Sequence, residues 1–168
     1  MSEVALTAYL MDHAFQGSEF HSLMHNLATI DEATWQRPLP GSVRTIAEIT
    51  MHVASSKIMY VDYAFGTASL TWEHPSVEPW SPAEVAMADA IAFLREAHQQ
   101  LMAQVRPLSD GDLVGPRLAN WGEQKETRWL LSTLLQHDVY HAGEINRIRS
   151  VLAGEDRWQW QIDLGITR

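Results

Sequence analysis

Apolar residues recur at helical spacing in four stretches of the chain. The first passes through Leu6, Leu10, His13, Gly17, Phe20, Met24 and Leu27, and predicts a helix over about residues 4–30. Pro38, Pro40 and Gly41 interrupt the pattern. Ser42 is then placed to cap a second helix over about residues 42–65, with Ile46, Ile49, Val53, Met59 and Tyr60 on its apolar side and Gly66 as its stop. Ser81-Pro82-Ala83-Glu84 has the form of a capping box with proline at the first helical position, so a third helix is expected over about residues 82–105. An irregular stretch with Gly111, Gly115, Pro116, Asn120 and Gly122 leads to a fourth helix over about residues 125–152, ended by Gly154.

No β-period of comparable length occurs, which argues for an all-α fold, a four-helix bundle with a long crossover connection. The linker of about fifteen residues after the second helix is long for a hairpin and is the candidate crossing. With 168 residues, one helical domain over 1–168 can bury a core without disulfides or a structural metal. The segment Arg157-Trp158-Gln159-Trp160-Gln161-Ile162 alternates like a short strand and is expected to fold back as a tryptophan-bearing cover.

The fourth stripe is unusual in its members: Leu130, Leu134, His137, His141, Ile145, Ile148 and Leu152. Two imidazoles one turn apart on an apolar face lie about 6 Å apart at Cβ, close enough to share a divalent ion, and buried imidazoles each need a partner. His52, mid-way along the second helix, is the best third ligand. Three neutral imidazoles leave the ion its full charge and an open position, a catalytic rather than a structural arrangement. Zinc is the first choice, nickel the second, and iron or manganese also suits imidazole. Glu48 and Glu144, each within a turn of a ligand, are candidates to accept a ring N–H or the proton of a bound water; Asp138 points off the stripe.

His21 and His25 repeat the four-residue spacing on the margin of the first stripe, His13 lies on that stripe, and His74 and His98 are expected at the surface. Of the seven tryptophans, Trp35, Trp72, Trp80, Trp121, Trp158 and Trp160 fall in linkers and tail and Trp129 in a helix. Most should clamp loops to the bundle ends. Trp121, just before the histidine helix, is the best candidate to line a substrate pocket, and Arg117 to hold an anionic group there.

Twelve basic against twenty-one acidic residues give a net charge of −9, which repels nucleic acid and anionic membrane; Arg147 and Arg149 are too small a cluster to override it. Absence of cysteine removes disulfides, thiolate ligands and a cysteine nucleophile, and fits a reducing compartment. Neither a secretory signal pattern nor a membrane-length apolar run is found, so a soluble cytoplasmic protein is expected.

Two stretches, PLPGSVRTIAEITMHVASSKIM from Pro38 and LLSTLLQHDVYHAGEINRIRSVLAG from Leu130, resemble the DinB-like (DinB/YfiT) superfamily of bacterial four-helix-bundle metalloproteins. The resemblance aligns His52, His137 and His141 with that family's three metal-ligating histidines. It implies a bundle with a long crossover, one divalent metal, frequent homodimers, and relatives that include low-molecular-weight thiol transferases, a thiol-dependent isomerase and hydrolases. The expectation is therefore a metal-dependent thiol S-transferase-like or hydrolase-like enzyme, with a non-enzymatic metal-binding stress or sensory protein as the alternative.

Overall fold

The computed structural model describes residues 1–17, 21–41 and 43–154. Six α-helices follow one another: α1 (Glu3–Gln16), α2 (Leu23–Leu27), α3 (Glu32–Trp35), α4 (Ile46–Phe65), α5 (Met87–Val105) and α6 (Thr127–Ala153). Between α5 and α6 lie a 3-10 turn (Asp110–Val114) and an antiparallel hairpin of β1 (Pro116–Leu118) and β2 (Gln124–Glu126). The long helices close a ring, α1 against α6, α6 against α4, α4 against α5, and α5 back against α1. This is the expected four-helix, all-α arrangement. The crossings differ from expectation: α4 and α5 are neighbours, so the chain crosses the bundle between α1 and α4 and again between α5 and α6.

The single first helix expected over 4–30 is two, α1 and α2, with the short α3 following beyond it. The Gly17 N–H closes α1 on the His13 carbonyl, and Ser22 Oγ–H donates back to the Gly17 carbonyl at 2.5 Å, turning the chain before α2 starts. The expected stripe is not the buried face of α1: Leu6 and Leu10 are exposed, and Val4, Met11, Ala14 and Phe15 are buried instead, while α1 and α2 both pack on α6. Ser42 lies outside the described residues. α4 begins at Ile46 under a reciprocal cap, Thr45 Oγ1 accepting the Glu48 N–H and Glu48 Oε2 accepting the Thr45 N–H at 2.6 Å. Glu48 is thus a capping carboxylate and does not receive a histidine N–H.

The third helix starts at Met87, and the Ser81–Glu84 signal closes one turn, in which the Ser81 carbonyl accepts the N–H groups of Glu84 and Val85. That turn does not propagate, because Trp35 Nε1–H and Gln36 Nε2 donate to the Val85 and Pro82 carbonyls that a continuing helix would need. The hairpin, too, carries no alternation in sequence; Gly122 at φ 93° makes its turn. α6 runs unbroken through Gly143, where an added Cβ would meet nothing within 4 Å, so close packing does not require glycine there. The strand-like tail 157–162 lies outside the described residues.

Two apolar clusters fill the bundle. One gathers α2, α3 and the first half of α4 with Ala142, Ile145 and Ile148 of α6; the other gathers Tyr60, Leu101, Met102, Leu130, Leu131 and Leu134 with Val4 and Met11. Each of the four ring helices also carries an ionisable residue into the packing: Asp12, Lys57, His98 and Asp138. Lys57 on α4 and Asp138 on α6 are 1% and 2% exposed and paired at 2.7 Å. Asp138 therefore points inward, contrary to the sequence reading, because a buried ammonium meets it. His98 is also buried rather than at the surface, stacked on Phe15 with ring centroids 3.7 Å apart, and its Nε2 meets Asp12 Oδ1 at 3.1 Å. Asp12 receives Arg106 on its other oxygen.

Removing one member of a buried ion pair strands the other. Lys57→Met should destabilise the protein by about 3–5 kcal/mol, while the double variant Lys57→Met/Asp138→Leu should recover most of that loss. Urea unfolding of the single and double variants checks this through the midpoint shift. Gly143→Ala should stabilise α6 by about 1 kcal/mol in the same measurement, since helical glycine costs backbone entropy and the space is open.

Candidate metal centre

His52 sits in the first half of α4, and His137 and His141 sit one turn apart in the middle of α6. The pairing of α4 with α6 brings the three rings together, with His52 and His137 half-buried and His141 buried. His137 Nε2 lies 3.2 Å from His52 Nε2 and 3.1 Å from His141 Nε2. Two nitrogens on one tetrahedral ion at 2.0–2.1 Å stand about 3.3 Å apart, so His137 already has the spacing of a shared ion to each of its neighbours, and all three nitrogens lie within 4.8 Å of one another.

The protons do not suffice for a purely hydrogen-bonded cluster. His141 Nδ1–H donates to Glu144 Oε2 at 2.8 Å, which leaves its Nε2 as a bare lone pair directed at His137. His137 Nδ1 is buried without a partner. One ring hydrogen on His137 Nε2 can serve only one of its two neighbours well, whereas a cation accepts all three lone pairs. Burial lowers the pKa of His52 to about 4 and that of His137 to about 3, each assisted by the neighbouring imidazole, and also lowers His141 against the pull of Glu144. The exposed Arg44 guanidinium adds to the depression at all three rings. At neutral pH the centre is thus a set of uncharged nitrogen donors, the state that binds metal.

The remaining candidates lie elsewhere. Arg117 donates to the Ala64 carbonyl and Thr127 Oγ1, both at 3.0 Å, and its guanidinium lies over the Phe65 ring; it staples the hairpin to the far end of α4. Trp121 packs edge-on to Tyr60 and Trp129, with its N–H on Glu123. Tyr60 and Ala64 follow His52 by about 12 to 18 Å of helix rise, so Trp121 and Arg117 belong to the opposite end of the bundle from the histidines. His21 is exposed and precedes α2, which dissolves the helical spacing with His25. His13 is half-buried beside Tyr9 and His21, and His74 is exposed. Among the described residues, His52, His137 and His141 form the grouping of histidine and carboxylate donors able to hold a metal.

Sequence reasoning missed Lys57, whose pairing with Asp138 fixes α4 against α6 next to His137, and it missed Trp72 and Glu78, which share a cavity with Glu48 and His52. A lysine inside the apolar face of α4 was the available signal for the first. The second pair comes from a linker with no periodicity to interpret.

A closed ring of helices with three converging imidazoles defines an all-α bundle protein with a candidate tri-histidine metal site. The sequence matches the DinB superfamily over residues 16–145, and the chain belongs to that family. No curated protein matches the chain significantly.

Protein purified without a histidine tag or nickel column should carry close to one divalent ion per chain, as measured by mass spectrometry of the elements. His52→Ala, His137→Ala and His141→Ala should each remove most of it while circular dichroism stays helical. Glu144→Ala should weaken binding about 10- to 100-fold by freeing the His141 ring. Full occupancy with unchanged affinity in His141→Ala would place the ion elsewhere.

Proposed function

We propose that this protein is a metal-dependent enzyme acting on a small molecule, thiol S-transferase-like or hydrolase-like. The observation that carries the reading is access: His52 and His137 are only half-buried, and a cavity lies against His52. A site built only to hold metal, as in a sensory or stress protein, gains nothing from such an opening. His52, His137 and His141 would hold the ion, with zinc the first choice, nickel the second, and iron or manganese compatible with the donors. A divalent ion there lowers the pKa of a thiol or water that reaches it, so that a nucleophile exists at neutral pH.

The chain's own residues supply orientation and proton handling. Glu144 holds the His141 ring with its Nε2 toward the centre. Glu48 borders the cavity and has one carboxylate oxygen beyond its cap, so it is the group placed to accept a proton from an entering thiol or water. The chain contains no cysteine, so a reactive sulfur must come from a cosubstrate, in keeping with a low-molecular-weight thiol and a cytoplasmic setting. Metal-loaded protein should consume a thiol in the presence of a test alkyl or epoxide electrophile, and Glu48→Gln should slow it. Turnover of esters or amides without thiol would select the hydrolase version. Metal binding without turnover of either panel would contradict an enzyme.

The partner we propose is a second copy of the chain. Leu6, Tyr9 and Leu10 on α1 and Tyr140 on α6 are exposed apolar surface on two helices that pack together. Sedimentation at micromolar concentration should give the mass of a dimer, and Tyr9→Glu/Leu10→Glu should shift it toward a monomer.

A further inference from the structure

The cavity against His52 has a volume of about 160 Å³ and lies between the first half of α4 and the segment joining α4 to α5. Glu48 and His52, one turn apart, border it from α4, and Trp72 and Glu78 border it from the joining segment. Its place is fixed by the fold: Ser55 Oγ–H donates to the Val77 carbonyl at 2.6 Å, and the Val77 side chain is fully buried beside Glu78. The space corresponds to about five water molecules, enough for a short alkyl chain with a charged end.

The lining specifies the charge of that end. Among the described residues, two carboxylates border the cavity and no lysine or arginine does. Glu48 spends one oxygen on the Thr45 N–H, while the Glu78 carboxylate has no hydrogen-bond or ion-pair partner among the described residues. Trp72 is 42% exposed and stacks on no other ring among the described residues, unlike Trp80, Trp121 and Trp129, whose faces or edges are taken by neighbouring aromatics. An open indole together with two carboxylates is the chemistry that holds an organic ammonium. A divalent ion on three neutral imidazoles repels a cation placed nearby, and paired carboxylates beside His52 offset that repulsion.

We propose that this cavity is the ammonium subsite of the substrate. Resting on the thiol reading above, it makes the cosubstrate an aminothiol, a molecule with a free amine a few bonds from its sulfur, and disfavours thiols whose amine is acylated. Glu78 and Trp72 are then specificity-determining residues: they contact the ammonium and take no part in bond making.

The test uses the full-length, zinc-loaded protein labelled with 15N, with the Trp72 indole N–H signal assigned by its loss in Trp72→Phe. Three probes separate the amine from the sulfur: propylamine has only the amine, cysteamine has both, and N-acetylcysteamine has only the thiol. Propylamine and cysteamine should shift the Trp72 signal saturably while N-acetylcysteamine leaves it in place. Glu78→Gln, isosteric on an exposed side chain, should weaken the amine response about tenfold. Consumption of the two thiols with a test electrophile is followed in parallel. An amine response at Trp72 with neither thiol consumed supports the subsite and sinks the thiol reading. Both thiols consumed equally, with no amine response or with an unchanged response in Glu78→Gln, overturns the subsite and leaves the thiol reading standing.

Discussion

A buried ammonium meeting a buried carboxylate across two helices holds this bundle in one arrangement. Lys57 and Asp138 join α4 to α6 at 2.7 Å with almost no exposure, and neither has water to fall back on. Apolar side chains tolerate small slips of one helix along another, since their attraction has little direction. An ion pair in a low-dielectric interior does not, because a slip of one residue would leave two uncompensated charges. His52 precedes Lys57 on α4, and His137 immediately precedes Asp138 on α6, so the contact that sets the register of the two helices also sets the meeting of the imidazoles. Apolar packing makes the bundle stable, and this pair makes the histidine cluster specific.

The second consequence concerns the cost of burying so many polar groups in a small domain. Asp12, His98, Lys57, Asp138 and His141 all reach the interior or its edge, and most are arranged in pairs: Asp12 with His98 and Arg106, Lys57 with Asp138, His141 with Glu144. Phe15 is sandwiched in this layer, its face against His98 and the Lys57 ammonium 5.3 Å from its centroid. The ring offers its π-face to the ammonium. His98 stays neutral under that load, its pKa lowered to about 4 by burial and by Lys57 against the pull of Asp12.

Much of this was legible in sequence where a single period governed a long element. The α6 stripe placed His137 and His141 on one inward face, and the helix is continuous where the stripe is. Legibility failed where side chains diverted backbone groups. Ser22 donates back to the Gly17 carbonyl inside the stretch expected as one helix, and Trp35 and Gln36 take the carbonyls that would have propagated a helix from Ser81. Single polar residues were also misplaced, because inward or outward direction depends on a partner distant in sequence: Asp138 faces Lys57, eighty-one positions away, and His98 faces Asp12, eighty-six away. Proximity to the histidine helix suggested Trp121 and Arg117 as pocket residues, yet the hairpin carries them to the end of α4 remote from His52.

The site itself follows from an imbalance of protons and lone pairs. Glu144 fixes the proton of His141 on Nδ1, and burial keeps His52 and His137 uncharged at neutral pH. A single ring hydrogen on His137 Nε2 serves only one of its two neighbours, so at least one pair of facing nitrogens is left without a proton between them. Protonation is the usual remedy, and here it is closed off by the apolar surroundings, by each ring's effect on the next and by the Arg44 charge. A divalent cation would accept all three lone pairs, and the His137 nitrogen already stands at a shared ion's spacing from each of its two neighbours. The same apolar burial that weakens the histidines as bases therefore keeps them in the uncharged form able to hold a cation, on a protein whose net charge of −9 draws cations toward it.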